Sequence, residues 1–455
     1  MSNQTEKLNA AGSVSPDSYV VDQALLHPSN KTEPIDIREM LMKLEFVESI
    51  HNPYIEGNIF VQDSANILSL LRLNGNEKLE LKIQKQKQDE SKEEDEDTKW
   101  EFETRIIEIY DYARTSPSRQ FYHLRIASPH LIANQAKLLK RPFKGTIGNT
   151  IQQIIKNDLS IERIENINTS TKTPVSGVFP RLRPLIAANW LLKNAYEDST
   201  PFYFYETIKK GIYLDSLKKM FEKEPYKTFE LKSFFANNPG TPGYYDEVSR
   251  RIKSFSSPVN FSQFSNIGEG VYSSKVHKLD IYKKEYVVDE YRYNGDNKLN
   301  EFQPYSSNDK VNENDFKDNT ESKNYYISLN TGQKEDNYHS PNDNTIMKAK
   351  AQLKGLESNT MEMLITGDFG LEVGSIIQVD VSKASSADQL EESTMFDKYL
   401  GGKYLVKEIK SYFTQSFEQK VTLMRDSVGV DIDSSEPEEQ EKTAWYTTTH
   451  IEMNL

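Results

Sequence analysis

The side chains best suited to chemistry in this chain are its seven histidines, His27, His51, His123, His130, His277, His339 and His450. None forms a close pair at the spacing with which one helix face offers two imidazoles to a metal. No G-x-S-x-G nucleophile elbow and no phosphate-binding loop occurs, so histidine-based hydrolysis lacks its constellation. Asp368-Phe369-Gly370 spells the magnesium motif of protein kinases, but the glycine-rich loop, strand lysine and catalytic loop that must accompany it are missing upstream. The tripeptide therefore reads as a turn.

The 69 acidic residues guarantee many carboxylate pairs of the kind a glycosidase uses, and nothing singles one out. The stretches NGDNKLNEF and NENDFKDNTE resemble calcium loops, yet neither places Gly at the sixth position and Glu at the twelfth; both read as solvated loops. The run Phe202, Tyr203, Phe204, Tyr205 could stack on bases or sugars. Alternation sends Phe202 and Phe204 to one face and Tyr203 and Tyr205 to the other, which fits a core face backed by a half-exposed one. The absence of cysteine removes disulfides, thiolate nucleophiles and sulfur-ligated zinc. The sequence thus assigns no catalytic residue, no metal ligand and no cofactor, and the chain is expected not to be an enzyme.

The elements that carry these residues are mostly strands. IDIREMLMKLEFVESIHNPYIEGNIFVQDSANILSLL is followed by NEKLELKI, EFETRIIEIY and QFYHLRIA, all with the two-residue period of half-buried strands. The same style returns in ITGDFGLEVGSIIQVDV, with a Leu-x-x-Gly dip at Leu371 to Gly374 and alternating Ile377, Val379 and Val381, then in GGKYLVKEIKSYF and FEQKVTLMRD. Between them lies helical character. Asn149 with Gln152 suggests a capping arrangement, Ile147, Ile151, Ile154 and Ile155 repeat at helical spacing, and Pro184 suits a first turn. PFYFYET and KGIYLDSL read as a hairpin turning at Ile208 to Gly211. A charged helix is expected around Tyr245 to Phe255 and another over about 344–356.

The fold class expected is α+β and multidomain: two tube-like antiparallel β-barrel domains flanking a helix-containing middle region, a duplicated module within one chain. Residues 1–30, polar and without periodicity, are expected to form an extended N-terminal arm. The first barrel spans 31–127, interrupted by a solvated hairpin loop at Asp89 to Asp97, and the middle domain spans 128–273. The second barrel takes 274–293 and 357–426. Residues 294–344 read as a polar insertion with an ordered piece at Tyr325 to Leu329, and 427–455 as an acidic tail carrying a small docking segment with Trp445, Tyr446 and Ile451. A length of 455 residues suits about three units. The N-terminus lacks an apolar signal region, and no stretch approaches the ~20 apolar residues of a membrane helix, so folding in a cytoplasm without membrane insertion is expected. The net charge of −13 argues against a phosphate-reading surface.

The order of barrel strands, SPHLIANQAKLLKRPFKGTIGNTIQQII, RPLIAANWLLKNAYEDSTPFYFYET and ITGDFGLEVGSIIQVDV resembles the baseplate hub proteins of contractile-tailed phages of the T-even type. The most specific pieces are Arg141-Pro142-Phe143 with Gly148 and its Ile-rich helix, and the stretch from Gly367 to Val381. The resemblance covers about Ile35 to Asp426 and extends to the hub part of VgrG-type spike proteins of type VI secretion.

It implies a homotrimer in which two tube-like domains per subunit present six similar barrels, so that a threefold ring matches a sixfold tail tube. Implied partners are a central spike protein, a tail tube or tube-initiator protein, other baseplate proteins and a tape measure protein. DNA would pass through the lumen without being read, and the place of action would be the virion baseplate. The residues expected to serve as subunit-interface or barrel-core groups are Ile59 and Val61 in one strand and Ile377 and Val379 in the other. Rival readings are a cell-wall hydrolase or glycan-binding tail component and a type VI secretion hub. The insertions and the tail have no counterpart in the family pattern.

Overall fold

The computed structural model describes residues 15–29, 33–86, 98–167, 174–193, 195–197, 200–231, 243–260, 263–280, 284–292, 323–329, 343–357, 359–382, 396–397 and 400–426. In the first region seven strands form: β1 (Tyr19–His27), β2 (Ile35–Asp36), β3 (Leu41–Ser49), β4 (Glu56–Asp63), β5 (Lys78–Lys85), β6 (Lys99–Ser116) and β7 (Arg119–Ala127). Their spatial order is β3-β4-β7-β6-β5-β1-β2. Alternation sets which face is buried: along β4, Gly57, Ile59, Val61 and Asp63 are buried while the residues between are half-exposed. Leu44, Phe46, Leu79, Leu81, Ile83, Leu124 and Ile126 join them in one core.

Here the N-terminal arm is corrected. Residues Tyr19–His27 are a full strand, paired antiparallel with β5 from Tyr19↔Lys85 to His27↔Lys78. Val21, Ala24 and Leu26 point inward, and this apolar spacing inside a polar composition is what earns the strand its place. Residues 1–14 lie outside the described residues, as does the acidic run from Asp89 to Asp97. The strands flanking that run pair with each other, Gln84 opposite Lys99.

The middle region contains the helices His130–Ala136, Ile147–Gln153 and Pro184–Leu192, and strands β8 (Pro142–Thr146), β9 (Ile164–Ile167), β10 (Pro174–Val178), β11 (Tyr196–Glu197), β12 (Thr200–Thr207) and β13 (Gly211–Ser216). Ile147, Ile151, Ile154 and Ile155 pack with Leu185, Ala188, Leu191, Phe202 and Phe204. The cap is Thr146, not Asn149: the Thr146 hydroxyl accepts the Asn149 N–H at 3.3 Å. Pro184 does open its helix, and β12 and β13 form the expected hairpin, closing at Thr207↔Gly211. The half-exposed face expected of β12 is absent, because Tyr203 and Tyr205 are buried against the C-terminal core while Phe202 and Phe204 fill the middle one.

The remaining strands are β14 (Thr228–Leu231), β15 (Ile252–Asn260), β16 (Ser273–Asp280), β17 (Glu285–Arg292), β18 (Asn324–Leu329), β19 (Asn359–Thr366), β20 (Ile376–Val381), β21 (Gly402–Phe413) and β22 (Phe417–Met424), with helices Tyr244–Arg250 and Asp343–Glu357 among them. The order β15-β19-β22-β21 is antiparallel, β20 pairs with the first part of β21, and β14 pairs with β20 in parallel. A single parallel bridge between Glu230 and Arg251 brings this sheet back towards its own start. The later part of β21 pairs with β3, from Glu408↔Ser49 to Phe413↔Leu44, so the N- and C-terminal curled sheets are one 13-stranded sheet sharing a strand.

The assignment of 274–293 to the second barrel is also corrected. β16 and β17 form a separate three-stranded sheet with β18, packed by Val276 and Tyr291 on Met347 and Ala351 of the helix Asp343–Glu357. The polar insertion supplies β18, so its expected ordered piece is a strand parallel to β16. The rest of the insertion up to residue 342, and the tail from 427, lie outside the described residues. The architecture is mostly β, and apart from short turns at Arg38–Met40 and Ile67–Leu70 its described helices lie in the middle region and before β19. No helix among the described residues is long and apolar enough to cross a membrane.

Candidate functional site

The four residues singled out in the barrel strands sit at the centres of two cores. Ile59 and Val61 belong to the N-terminal core and Ile377 and Val379 to the C-terminal one, each at most 1% exposed. The structure does not bring the two pairs together. What it brings together is the seam between the regions, and that seam has an aromatic layer and a carboxylate layer.

In the aromatic layer, Phe369, Phe413 and Phe417 of the C-terminal half are buried inside the N-terminal core. Trp100 lies edge-on to Phe369, Phe413 and Phe417 at ring separations of 5.2, 5.7 and 5.6 Å, a geometry favoured by the ring quadrupoles. Asp368-Phe369-Gly370 is the turn that delivers Phe369. Asp368 accepts the Gly370 N–H at 3.0 Å and the Tyr226 hydroxyl at 3.0 Å, and pairs with Lys227 at 2.9 Å.

The carboxylate layer joins three regions through Glu48 of β3, Glu206 of β12 and Glu372 of the loop before β20. Glu48 accepts the Ile208 N–H at 2.8 Å. Glu206 accepts the Ser128 hydroxyl at 2.5 Å and the Ile55 N–H at 3.2 Å, with His130 Nε2 at 3.8 Å. Glu372 accepts the Thr207 hydroxyl at 3.0 Å and faces Lys210 at 3.5 Å. Burial pushes the Glu48 carboxyl up to about 8; the Ile208 N–H opposes this, and the neighbouring charges of Glu372 and Glu206 add to it. Burial raises Glu206 as well, against the pull of His130 and Ser128. One oxygen of each carboxylate is occupied by backbone or hydroxyl donors within the seam.

Sequence reasoning passed over these carboxylates, though two were legible. Glu48 continues the inward series Leu44, Phe46, and Glu206 continues Phe202, Phe204; each is a charge at a core position of an alternating strand. Glu372 lies in a turn and gives no such signal. The histidines are dispersed: His123 stacks with Phe60 and Tyr110, His277 with Tyr286 and Tyr326, and His339 and His450 lie outside the described residues, as do both calcium-like stretches. Among the described residues no group of three potential metal ligands occurs.

A β-rich chain whose N- and C-terminal curled sheets are joined through β3 and β21, with a middle region of strands and helices against the seam, has the fold of a solved tail protein. A solved tail protein from Neisseria meningitidis MC58 superposes with a TM-score of 0.50 at 9% identity, over 90% of this chain and 98% of that one. A 43 kDa tail protein of prophage MuSo2 from Shewanella oneidensis gives 0.48 at 9% identity, over 90% and 99%, and a prophage tail protein from Listeria monocytogenes EGD-e gives 0.46 at 10%, over 89% and 94%. No family model matches the sequence, and no curated protein does. The likeness agrees, at the level of the fold, with the resemblance read from the sequence.

Proposed function

We propose that this chain is a non-enzymatic structural subunit of a contractile-tail baseplate, acting as the hub. In this reading three copies form a ring, and the two curled sheets of each act as tube-like barrels, giving six similar modules that adapt a threefold central spike to a sixfold tail tube. The ring would form part of the path for DNA, and a spike protein, a tube or tube-initiator protein, other baseplate proteins and a tape measure protein would be its partners. The acidic net charge of −13 suits a wall that DNA passes without adhering.

The observation that carries the reading is the shared strand. The pairing of β3 with β21 joins the N- and C-terminal curled sheets of one chain, an arrangement that would suit two modules per subunit in a threefold-to-sixfold adaptor, and the fold is that of a solved tail protein over nearly the whole of both chains. The buried carboxylates support a structural role, since groups occupied within a seam are not presented to a glycan.

The test is the absolute mass of the purified chain by light scattering on a sizing column, with and without the candidate spike protein. A mass near three times 52.5 kDa in either condition is the expected result. A clean monomer in both, together with measurable glycan binding, would overturn it.

A further inference from the structure

A cavity of about 630 Å³ opens where the middle region meets the helix Asp343–Glu357. Its walls are apolar and aromatic, with Leu192, Tyr196, Phe202 and Leu353 among them. Among the described residues its charged lining is of one sign, Lys193 and Lys350, with His51 beside them. Lys350 sits 3.9 Å from the centre of the Tyr325 ring. Burial, then Lys323 and Lys193, lowers its affinity for a proton, the signature of cations crowded together in partly dry surroundings. In a chain of net charge −13, an apolar cleft walled by lysines is a local exception. Its volume falls in the range of built ligand sites, roughly 300–1,000 Å³.

The place where the described chain ends points to what fills it. The Arg425 N–H donates to the Asn359 carbonyl at 3.2 Å, so the chain leaves the fold beside the C-terminal end of the helix Asp343–Glu357. Lys350 lies seven residues back along that helix, about 10 Å at 1.5 Å per residue. The sequence that follows has Asp431, Asp433, Glu436, Glu438, Glu439 and Glu441, then Trp445 and Tyr446. From Asp426 to Trp445 is 19 residues, and a chain of that length can span up to about 60 Å, several times the distance required.

We infer that the cavity is the docking site of the chain's own C-terminal segment, with Trp445 and Tyr446 entering between the aromatic walls and the preceding carboxylates meeting Lys193 and Lys350. Charge complementarity sets the polarity of the match, and the short tether raises the local concentration of the segment well above that of any free competitor. The inference does not depend on the hub reading.

The absence of native cysteine makes the test clean. Asn189 lines the cavity and is exposed, so Asn189→Cys paired with Tyr446→Cys should form an intramolecular disulfide under mild oxidation. The expected rate is at least tenfold that of a control pair joining Tyr446→Cys to Thr115→Cys, on the exposed β6–β7 hairpin. Replacing Glu436, Glu438, Glu439 and Glu441 by Gln, all beyond the described fold, should slow the reaction about tenfold. Rates equal to the control would overturn the docking, intermolecular products alone would assign the cavity to a neighbouring copy instead, and an undiminished rate in the Gln variant would remove the role of charge.

Discussion

Trp100 donates its indole N–H to the carbonyl of Phe369 at 2.8 Å, across 269 residues of sequence. Both partners are buried, so this bond ties the N-terminal core to the loop between β19 and β20. Trp100→Phe keeps most of the apolar area and leaves the Phe369 carbonyl buried without its donor, a loss of about 1–3 kcal/mol. Trp100→Ala adds a cavity among four aromatic rings and should cost about 3–5 kcal/mol. Urea unfolding followed by circular dichroism reads both. Because the cores share this seam, a single transition should persist in Trp100→Phe; two separated transitions would mean that the halves are independent.

The proton stored at Glu48 makes stability depend on pH in an unusual direction. The carboxyl lies near 8 when folded and at 4.5 ordinarily, so between those values the folded chain holds a proton that the unfolded chain has released. Stability contributed by this group is therefore full below about 4.5 and declines as pH rises towards 8, by about 1.4 kcal/mol per pH unit within the window. Glu48→Gln fixes the neutral form and keeps an acceptor for the Ile208 N–H. Its urea midpoint should match the parent near pH 4.5 and exceed it at pH 8; an equal difference at both pH values would sink the argument.

At Gly374 the chain takes a φ of +78°, and an added Cβ would stand 2.5 Å from the Tyr205 hydroxyl. That is the Leu-x-x-Gly dip, and it seats the loop carrying Glu372 against β12. Gly374→Ala should lose more than about 1 kcal/mol, since the residue gains strain in the native turn and Tyr205 must also shift. Thermal unfolding by calorimetry checks this, and an unchanged midpoint would mean that Tyr205 has room to move.

The strands of both sheets were legible because residues such as Ile59, Val61, Ile377 and Val379 alternate cleanly with polar neighbours, and a strand buried on one face must do so. The β12–β13 hairpin and the Pro184 helix were legible from local chemistry alone. What escaped was long-range. Nothing local in GKYLVKEIKSYF says that its first part pairs with β20 and its later part with β3, nor that Tyr203 and Tyr205 face a second core. The strands of β16 and β17 were legible as strands, but which sheet they join is fixed by the helix they pack on. Glu48 and Glu206 could have been flagged by their inward register; Glu372 could not, because a turn has no period to violate.

The correction at the N-terminus can be tested by substitution. If residues 19–27 were an arm, replacing one apolar side chain there would leave the stability of the isolated chain within about 0.5 kcal/mol of the parent, as for ordinary surface sites. In the structure Leu26 is 1% exposed within the N-terminal core, opposite Leu79 of β5. Leu26→Ala should therefore cost about 2–5 kcal/mol. Glu39→Ala, on an exposed side chain nearby, is the control for a merely local effect. Losing β1 would also strip β5 of one of its two partners and leave an open edge, so the Leu26 variant should self-associate more readily on warming, a change that light scattering during the melt would register.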